Sequence, residues 1–324
     1  MLTFKNAAAA VFLAASAIAA PAVAQETLVA PGPRGDLAGT LVAPAEGQPL
    51  VLIIPGSGPT DRDGNNPLGV TAAPYRLLAD ALGERGIGTL RIDKRGMFAS
   101  KAAVADANAV TIADYVTDTA SWVGAARTAT GAECLWLLGH SEGGIVALAA
   151  AQEISHLCGI ILVAVPGRPL APLLREQLRA NPANAPLLED AEAAIATLET
   201  GERVDVTPLH PALQSLFAPA VQGFLIDLMA QDPAALAKQT DLPILIVHGG
   251  TDLQVTATDA QMLRAAAPQA TYLEIPAMNH VLKDIPDGAP AANRASYGDP
   301  SIPVSRALVA GVADFVTRDR GASE

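Results

Sequence analysis

Residues 137–145 read Leu137-Leu138-Gly139-His140-Ser141-Glu142-Gly143-Gly144-Ile145, an apolar run that breaks into a Gly-x-Ser-x-Gly turn and resumes as an apolar helical pattern. A turn of that kind dictates what flanks it. A buried strand must enter, a helix must leave, and the backbone must double back so sharply that Gly139 and Gly143 leave no room for side chains. The geometry lifts the Ser141 hydroxyl clear of the sheet at the helix N-terminus. The Glu142 N–H then points to where negative charge gathers on an attacked carbonyl. The chemistry this predicts is a covalent serine ester, as in a hydrolase or an acyltransferase. The bare pattern also fits a glycine turn without chemistry. A phosphate-binding loop would need Lys-Ser or Lys-Thr opening the helix, or Gly-x-Gly-x-x-Gly, and neither occurs here.

The rest of the chain supplies the setting for such a turn. A continuous apolar run at 50–54 reads as a buried strand, the apolar run at 159–165 as another, and 88–92, 243–247 and 271–275 as further strands. Helical spacing at 75–84, 111–128, 144–154 and 304–317 alternates with them. Alternation of this kind builds βαβ units on a mainly parallel sheet with helices on both faces, an α/β fold. Two short extended segments between 27 and 43, separated by Pro31-Gly32-Pro33-Arg34-Gly35, read as an antiparallel edge pair. The rhythm breaks between 167 and 240, where helical stretches at 170–179, 186–200, 211–229 and 233–238 appear without strands. That length exceeds a connecting loop. The division expected is a core over 25–167 and 241–324, and a helical cap insert over 168–240, lying over the sheet end that carries Ser141.

The first residues read as a signal peptide over 1–24. Lys5 provides a positive start, residues 7–20 are small and apolar, and Ala22-Val23-Ala24 forms an A-x-A cleavage site before Gln25. The apolar stretch is too short to span a bilayer, and none later is long enough. The mature chain is therefore expected in a periplasm or the medium. In an oxidising compartment the two cysteines are candidates for a bridge. Cys134 and Cys158 open neighbouring parallel strands joined by one helix, so their starts should lie side by side; two buried thiols are the other reading. Over 324 residues the net charge is −12, which argues against nucleic acid and anionic membrane surfaces as partners. No metal is expected of two thiols with no histidine at ligand spacing.

A serine hydroxyl needs a histidine base, and the imidazolium needs a carboxylate. In the strand–elbow–helix setting the chain order is serine, acid, histidine. Of five histidines, His140 precedes Ser141 and is expected to point away from the elbow, and His156 and His210 precede any suitable acid. His248 ends a strand; Gly249-Gly250-Thr251-Asp252 follows, and only His280 lies beyond Asp252. Asp252 and His280 each sit in the loop after a strand, at the sheet edge where Ser141 emerges. Asp241 and Asp259 are rival acids; the first precedes its strand and the second lies within a helical pattern. The small residues Pro55-Gly56-Ser57-Gly58 after the 50–54 strand place a second oxyanion donor on the Ser57 N–H, beside that of Glu142.

Five segments carry a resemblance: residues 55–65, Asp93-Lys94-Arg95-Gly96, residues 139–144, Gly249-Gly250-Thr251-Asp252 and Asn279-His280-Val281-Leu282-Lys283. Through them the chain resembles the α/β-hydrolase superfamily over nearly the whole mature length, and most of all bacterial secreted carboxylesterases related to serine aminopeptidases. Where many members have His-Gly, this chain has Pro55-Gly56, which leaves the Ser57 N–H in place. The resemblance implies hydrolysis of a small-molecule ester by Ser141, His280 and Asp252, without metal or organic cofactor. Asp61, Arg62, Asp63 and Arg95 read either as a charge network beside the pocket or as a solvated loop held by ion pairs. Peptidase, amidase, thioesterase or acyltransferase chemistry stays open on the same triad, as does a non-catalytic binding protein on the same scaffold. Oligomeric state cannot be read from these residues.

Overall fold

The computed structural model describes residues 24–318. The segment read as a signal peptide lies outside them, apart from Ala24. An eight-stranded sheet forms the centre, in the order β1-β2-β4-β3-β5-β6-β7-β8. Its strands are β1 (Glu26–Ala30), β2 (Leu37–Val42), β3 (Leu50–Ile54), β4 (Gly88–Ile92), β5 (Leu135–His140), β6 (Leu157–Val163), β7 (Ile244–Gly249) and β8 (Thr271–Ile275). From β4 to β8 the pairing is parallel, while β1 and β2 pair antiparallel, as does β2 with β4. The sheet is thus mainly parallel with an antiparallel edge.

The apolar runs of the central strands β3, β5, β6 and β7 follow from burial on both faces. Leu50, Leu52, Leu137, Ile160, Leu162 and Ile246 point to one layer, where α2 (Ile112–Thr130), α3 (Glu142–Glu153) and α9 (Ala257–Ala266) pack. Their neighbours Val51, Ile53, Leu138, Ile161 and Val247 point the opposite way, to α1 (Pro74–Gly83) and α11 (Arg306–Arg318). The alternation is the period-two geometry of a strand. The chain winds from β3 outward to β4, then returns past β3 to β5. Loops leaving β3 and β5 therefore diverge from adjacent strand ends, and in open α/β sheets a crevice opens at such a reversal. Gly56, Ser57 and Ser141 stand there.

Between β6 and β7 the described chain is helical, with α4 (Leu170–Ala180), α5 (Leu188–Glu199), α6 (Pro211–Leu216), α7 (Gln222–Met229) and α8 (Pro233–Gln239). The stretch expected as one helix over 211–229 is two, because the segment around Pro219 cannot donate an amide to continue α6. These helices enclose a small core of their own, with Ile195, Leu198, Leu213 and Phe217 fully buried. The helical segment is tied to the rest of the chain on two sides. At one side the Ile112 N–H at the start of α2 donates to Asp227 (2.7 Å), and at the other Arg168 pairs with Asp259 on α9 (3.0 Å). Asp259, the rival acid, is committed to that pair and to the Thr256 cap.

At the opposite edge Cys134 and Cys158 form a disulfide, with Cα atoms 5.3 Å apart. It ties the starts of β5 and β6, closing the loop that contains the elbow.

Candidate active site

Steric exclusion fixes the elbow. A Cβ on Gly139 would overlap the Gly143 carbonyl, and one on Gly143 would overlap the Ile54 carbonyl. Ser141 between them has φ 53° and ψ −123°, a positive φ that L-residues avoid. Ser141 stands at the N-cap of α3, so the Glu142 N–H is one of the helix's unpaired first-turn donors.

Asp252 and His280 meet as the chain order predicts. His280 Nδ1 donates to Asp252 Oδ2 at 2.8 Å, which leaves Nε2 as the imidazole's basic nitrogen. Asp252 also accepts from the Gln254 and Val255 amides, at 2.7 and 3.0 Å. Burial alone would raise the Asp252 carboxyl. The His280 ring, its hydrogen bond and the two amides together outweigh burial and hold the group below its ordinary value.

His280, Ser141 and Ser57 line one cleft of about 160 Å³. Among the described residues the Ser141 hydroxyl and the Ser57 N–H have no hydrogen-bond partner, so both are free to meet a ligand. The remaining lining comes from Gly56, Thr60, Gly64, Asn66, Val70, Pro74, Tyr75, His140, Gln254, Val281 and Tyr297. Among the described residues, the helical insert contributes none of it. The loop after β3 and the segment holding Tyr297 form the walls, where the sequence reading had expected the insert.

His140 corrects a second expectation. It does not turn away; it lines the cleft and joins both sides of it. Its Nε2 lies 2.9 Å from the His280 carbonyl oxygen and its Nδ1 lies 2.8 Å from the Tyr75 hydroxyl. A carbonyl only accepts, so Nε2 carries the proton and Nδ1 accepts from Tyr75. The Tyr75 oxygen in turn accepts the Gly56 N–H at 3.1 Å. Burial, then the neighbouring His280 ring, drives His140 down to about 3, so it is a neutral link. Burial likewise pushes the Tyr75 phenol up, keeping it a donor. The only sequence hint of this pair was an aromatic at the start of α1 and a histidine inside the elbow, which periodicity cannot connect.

The charged residues left open in the sequence hold loops. Arg62 donates to Asp93 through Nη2 (2.6 Å to Oδ2) and through its backbone N–H (2.9 Å to Oδ1), and Arg91 pairs with Asp63. Asp61 accepts the amides of Asp63 and Asn65, and Arg95 grips Asp118 and Asp114. No group of three or more His, Cys, Asp or Glu placed to hold a metal occurs among the described residues.

The family model described as serine aminopeptidase, S33, matches residues 68–284, a span that takes in Ser141, Asp252 and His280. Esterase EstD of Thermotoga maritima is 30% identical over 218 residues, 66% of this chain and 49% of its own length. The chain thus spans about half the length of this curated relative. Among solved structures, the Pyrococcus furiosus esterase Pf2001 aligns with a TM-score of 0.56 at 14% identity, over 91% of this chain and 93% of that one. The esterase domain of a Rhodothermus marinus protein aligns at 0.51 and 19% identity, over 90% and 99%. At such identities these two likenesses concern the fold.

Proposed function

This chain belongs to the serine aminopeptidase S33 family of α/β-hydrolases, and on that footing we propose that it is a carboxylesterase cleaving small esters through an acyl-enzyme on Ser141. His280 Nε2 takes the Ser141 proton as Oγ attacks the ester carbonyl. The N–H groups of Ser57 and Glu142 hold the oxyanion. His280 then protonates the leaving alcohol and afterwards draws a proton from the water that frees the acid. Asp252 orients the imidazole and balances the charge it gains.

The observation that carries this reading is the buried Asp252–His280 bond of 2.8 Å in a cleft shared with Ser141. Its small volume supports a small ester. The lining also favours esters over peptides. An aminopeptidase must hold a free amine, and the described lining offers the neutral groups of Thr60, Asn66, Gln254 and Tyr297 beside apolar Val70, Pro74 and Val281. Hydrolysis of p-nitrophenyl acetate tests the proposal. Ser141→Ala is expected to abolish turnover with its thermal transition intact, and turnover equal to the parent would refute the assignment.

Export belongs to the same proposal. The disulfide supports an oxidising compartment, and no helix among the described residues is long and apolar enough to cross a membrane. N-terminal sequencing of the mature protein should begin at Gln25; an intact Met1 in the exported fraction would reject the cleavage site. The insert at 168–240 is read as a cap whose role lies in shielding the sheet edge rather than in forming the floor of the cleft.

A further inference from the structure

The Asp93-Lys94-Arg95-Gly96 turn after β4 contains one lysine, Lys94, that stands apart from the triad and from the arginine–aspartate pairs described above. Lys94 is buried, at 5% exposure, although it follows a strand that ends at the functional edge of the sheet. Its Nζ donates to the Gly56 carbonyl oxygen at 2.7 Å and to Glu142 Oε1 at 3.2 Å, and it stands 5.5 Å from the centre of the Tyr115 ring. Both polar partners belong to residues on which the oxyanion site is built.

The Gly56 carbonyl and the Ser57 N–H are two ends of a single peptide unit. The described chain has no cis bonds, so in that unit C=O and N–H point in opposite directions. A cation fixed on the carbonyl oxygen therefore sets the direction of the N–H on the far side. It also draws electron density toward the oxygen, which makes the N–H a stronger donor. Tyr75 accepts the Gly56 N–H, so the unit is gripped on both flanks of Gly56. Glu142, the carboxylate partner of Lys94, carries the second N–H on its own backbone. The Lys94–Glu142 pair is sealed, with side chains 4% and 3% exposed.

We propose that Lys94 is a positioning residue of the oxyanion hole, orienting and polarising the Gly56–Ser57 peptide while tying it to the residue that supplies the second donor. The inference rests on the esterase reading above. It also explains why a charge pair is buried here at all. A buried ion pair is often no more stabilising than an apolar pair of the same size, so stability alone does not account for it. A merely structural contact could be apolar, whereas a carbonyl that must be held by a positive group cannot.

Three variants test it: Lys94→Met, which removes the donors; Lys94→Gln, which keeps a neutral donor; and Lys94→Met with Glu142→Gln, which leaves no lone carboxylate buried. Readouts are kcat and KM on p-nitrophenyl acetate, inhibition by a trifluoromethyl ketone whose adduct places an oxyanion in the hole, and the thermal transition. The double variant is expected to fold and to lose between about 10- and 100-fold in kcat, less than deletion of an oxyanion donor, with KM within about twofold of the parent. The inhibition constant should rise by the same factor as kcat falls. Lys94→Gln should lie between the parent and Lys94→Met. A double variant with parental kcat, or one losing activity through KM alone with inhibitor affinity unchanged, would overturn the proposal. Should the double variant not fold, Lys94→Gln decides in the same way: parental kcat and inhibitor affinity there overturn it. Failure of the underlying reading looks different, since Ser141→Ala would then retain turnover whatever Lys94 does.

Discussion

The two walls of the cleft are built from different materials. On the side of Ser57, proposed for the oxyanion, the loop after β3 and the turn after β4 that backs it are held by ion pairs: Arg62 on Asp93, Arg91 on Asp63, Lys94 on Glu142 and Arg95 on Asp118. On the base side, the loops after β7 and β8 are held by neutral groups. Asn279 Nδ2 donates to Ser296 Oγ at 2.8 Å and to Asn293 Oδ1 at 3.1 Å, and Asn293 Nδ2 donates to the Thr251 carbonyl at 2.6 Å. Lys283, in the loop after β8, is turned onto the carbonyls of Asp299 and Ile302. Burial lowers its affinity for the proton. The difference has a physical reason. Near the oxyanion, fixed positive charge and stiff loops help. Near the imidazole, each extra charge biases its protonation: a second carboxylate would hold it charged, and a cation would oppose the charge it must gain. Asp252 is the carboxylate bonded to the imidazole, and in the proposed reaction its charge is the one put to use.

The largest effect expected from this contrast is on the base side. Asp252→Asn keeps the shape and removes the charge, so the imidazole loses both its tautomer control and its counter-ion. A kcat loss of about 10³- to 10⁴-fold on p-nitrophenyl acetate is expected, with the urea midpoint close to the parent's. A loss under tenfold would mean that Asp252 merely caps its turn, and the two walls would no longer differ in kind.

A smaller effect, and of another sort, is expected on the oxyanion side. Arg95 Nε and Nη2 each reach Asp118 at 2.7 Å, and Nη1 reaches Asp114 at 2.8 Å. Burial raises the Asp118 carboxyl even with Arg95 in place. Arg95→Met would strand that carboxylate, which costs about 3–5 kcal/mol for a buried pair broken on one side. Urea unfolding should register the loss, while kcat of the folded fraction changes far less than in Asp252→Asn. A kcat loss matching that of Asp252→Asn would place Arg95 in the chemistry and dissolve the distinction.

The walls were not equally legible in the sequence. Asp252 and His280 could be read from chain order and from their position after strands, because the sheet delivers consecutive strand ends to one edge. The elbow was legible because the close approach of Gly139 and Gly143 to other backbone tolerates only glycine. The Cys134–Cys158 bridge followed from the parallel pairing of β5 and β6. The oxyanion wall was harder. Lys94 meets Gly56 and Glu142 across 38 and 48 residues of sequence, and no periodicity reports such a contact. The same holds for Tyr75 and His140. The loop after β3 lacks regular structure, so its folding back to line the cleft, in place of the insert, left no pattern to read.

His140 lies between the walls, and its behaviour sharpens the contrast most finely. It accepts a hydrogen bond from Tyr75 on one side and donates one to the His280 carbonyl on the other, and the first of these requires the neutral ring. A second proton on Nδ1 would leave the Tyr75 hydroxyl without its acceptor. The groups around it are Tyr75, the His280 ring and, beyond it, Asp252, and burial dominates them all in holding it down to about 3 against an ordinary 6.5. Above pH 6.5 the ring is neutral folded or unfolded, so it adds no pH dependence. Below that, the unfolded chain takes up a proton that the native state refuses, and stability falls by up to about 1.4 kcal/mol per pH unit until the folded ring titrates. Asp252 contributes in a different window, since a lowered carboxyl gives stability above about 4 that is lost only as pH drops through its folded value. Urea unfolding between pH 6.5 and 5 therefore isolates His140. There His140→Gln should show a slope of stability against pH shallower than the parent's by close to one proton. Equal slopes would mean that the ring accepts its proton in the native state, and that the link between the two walls is not the neutral one its hydrogen bonds describe.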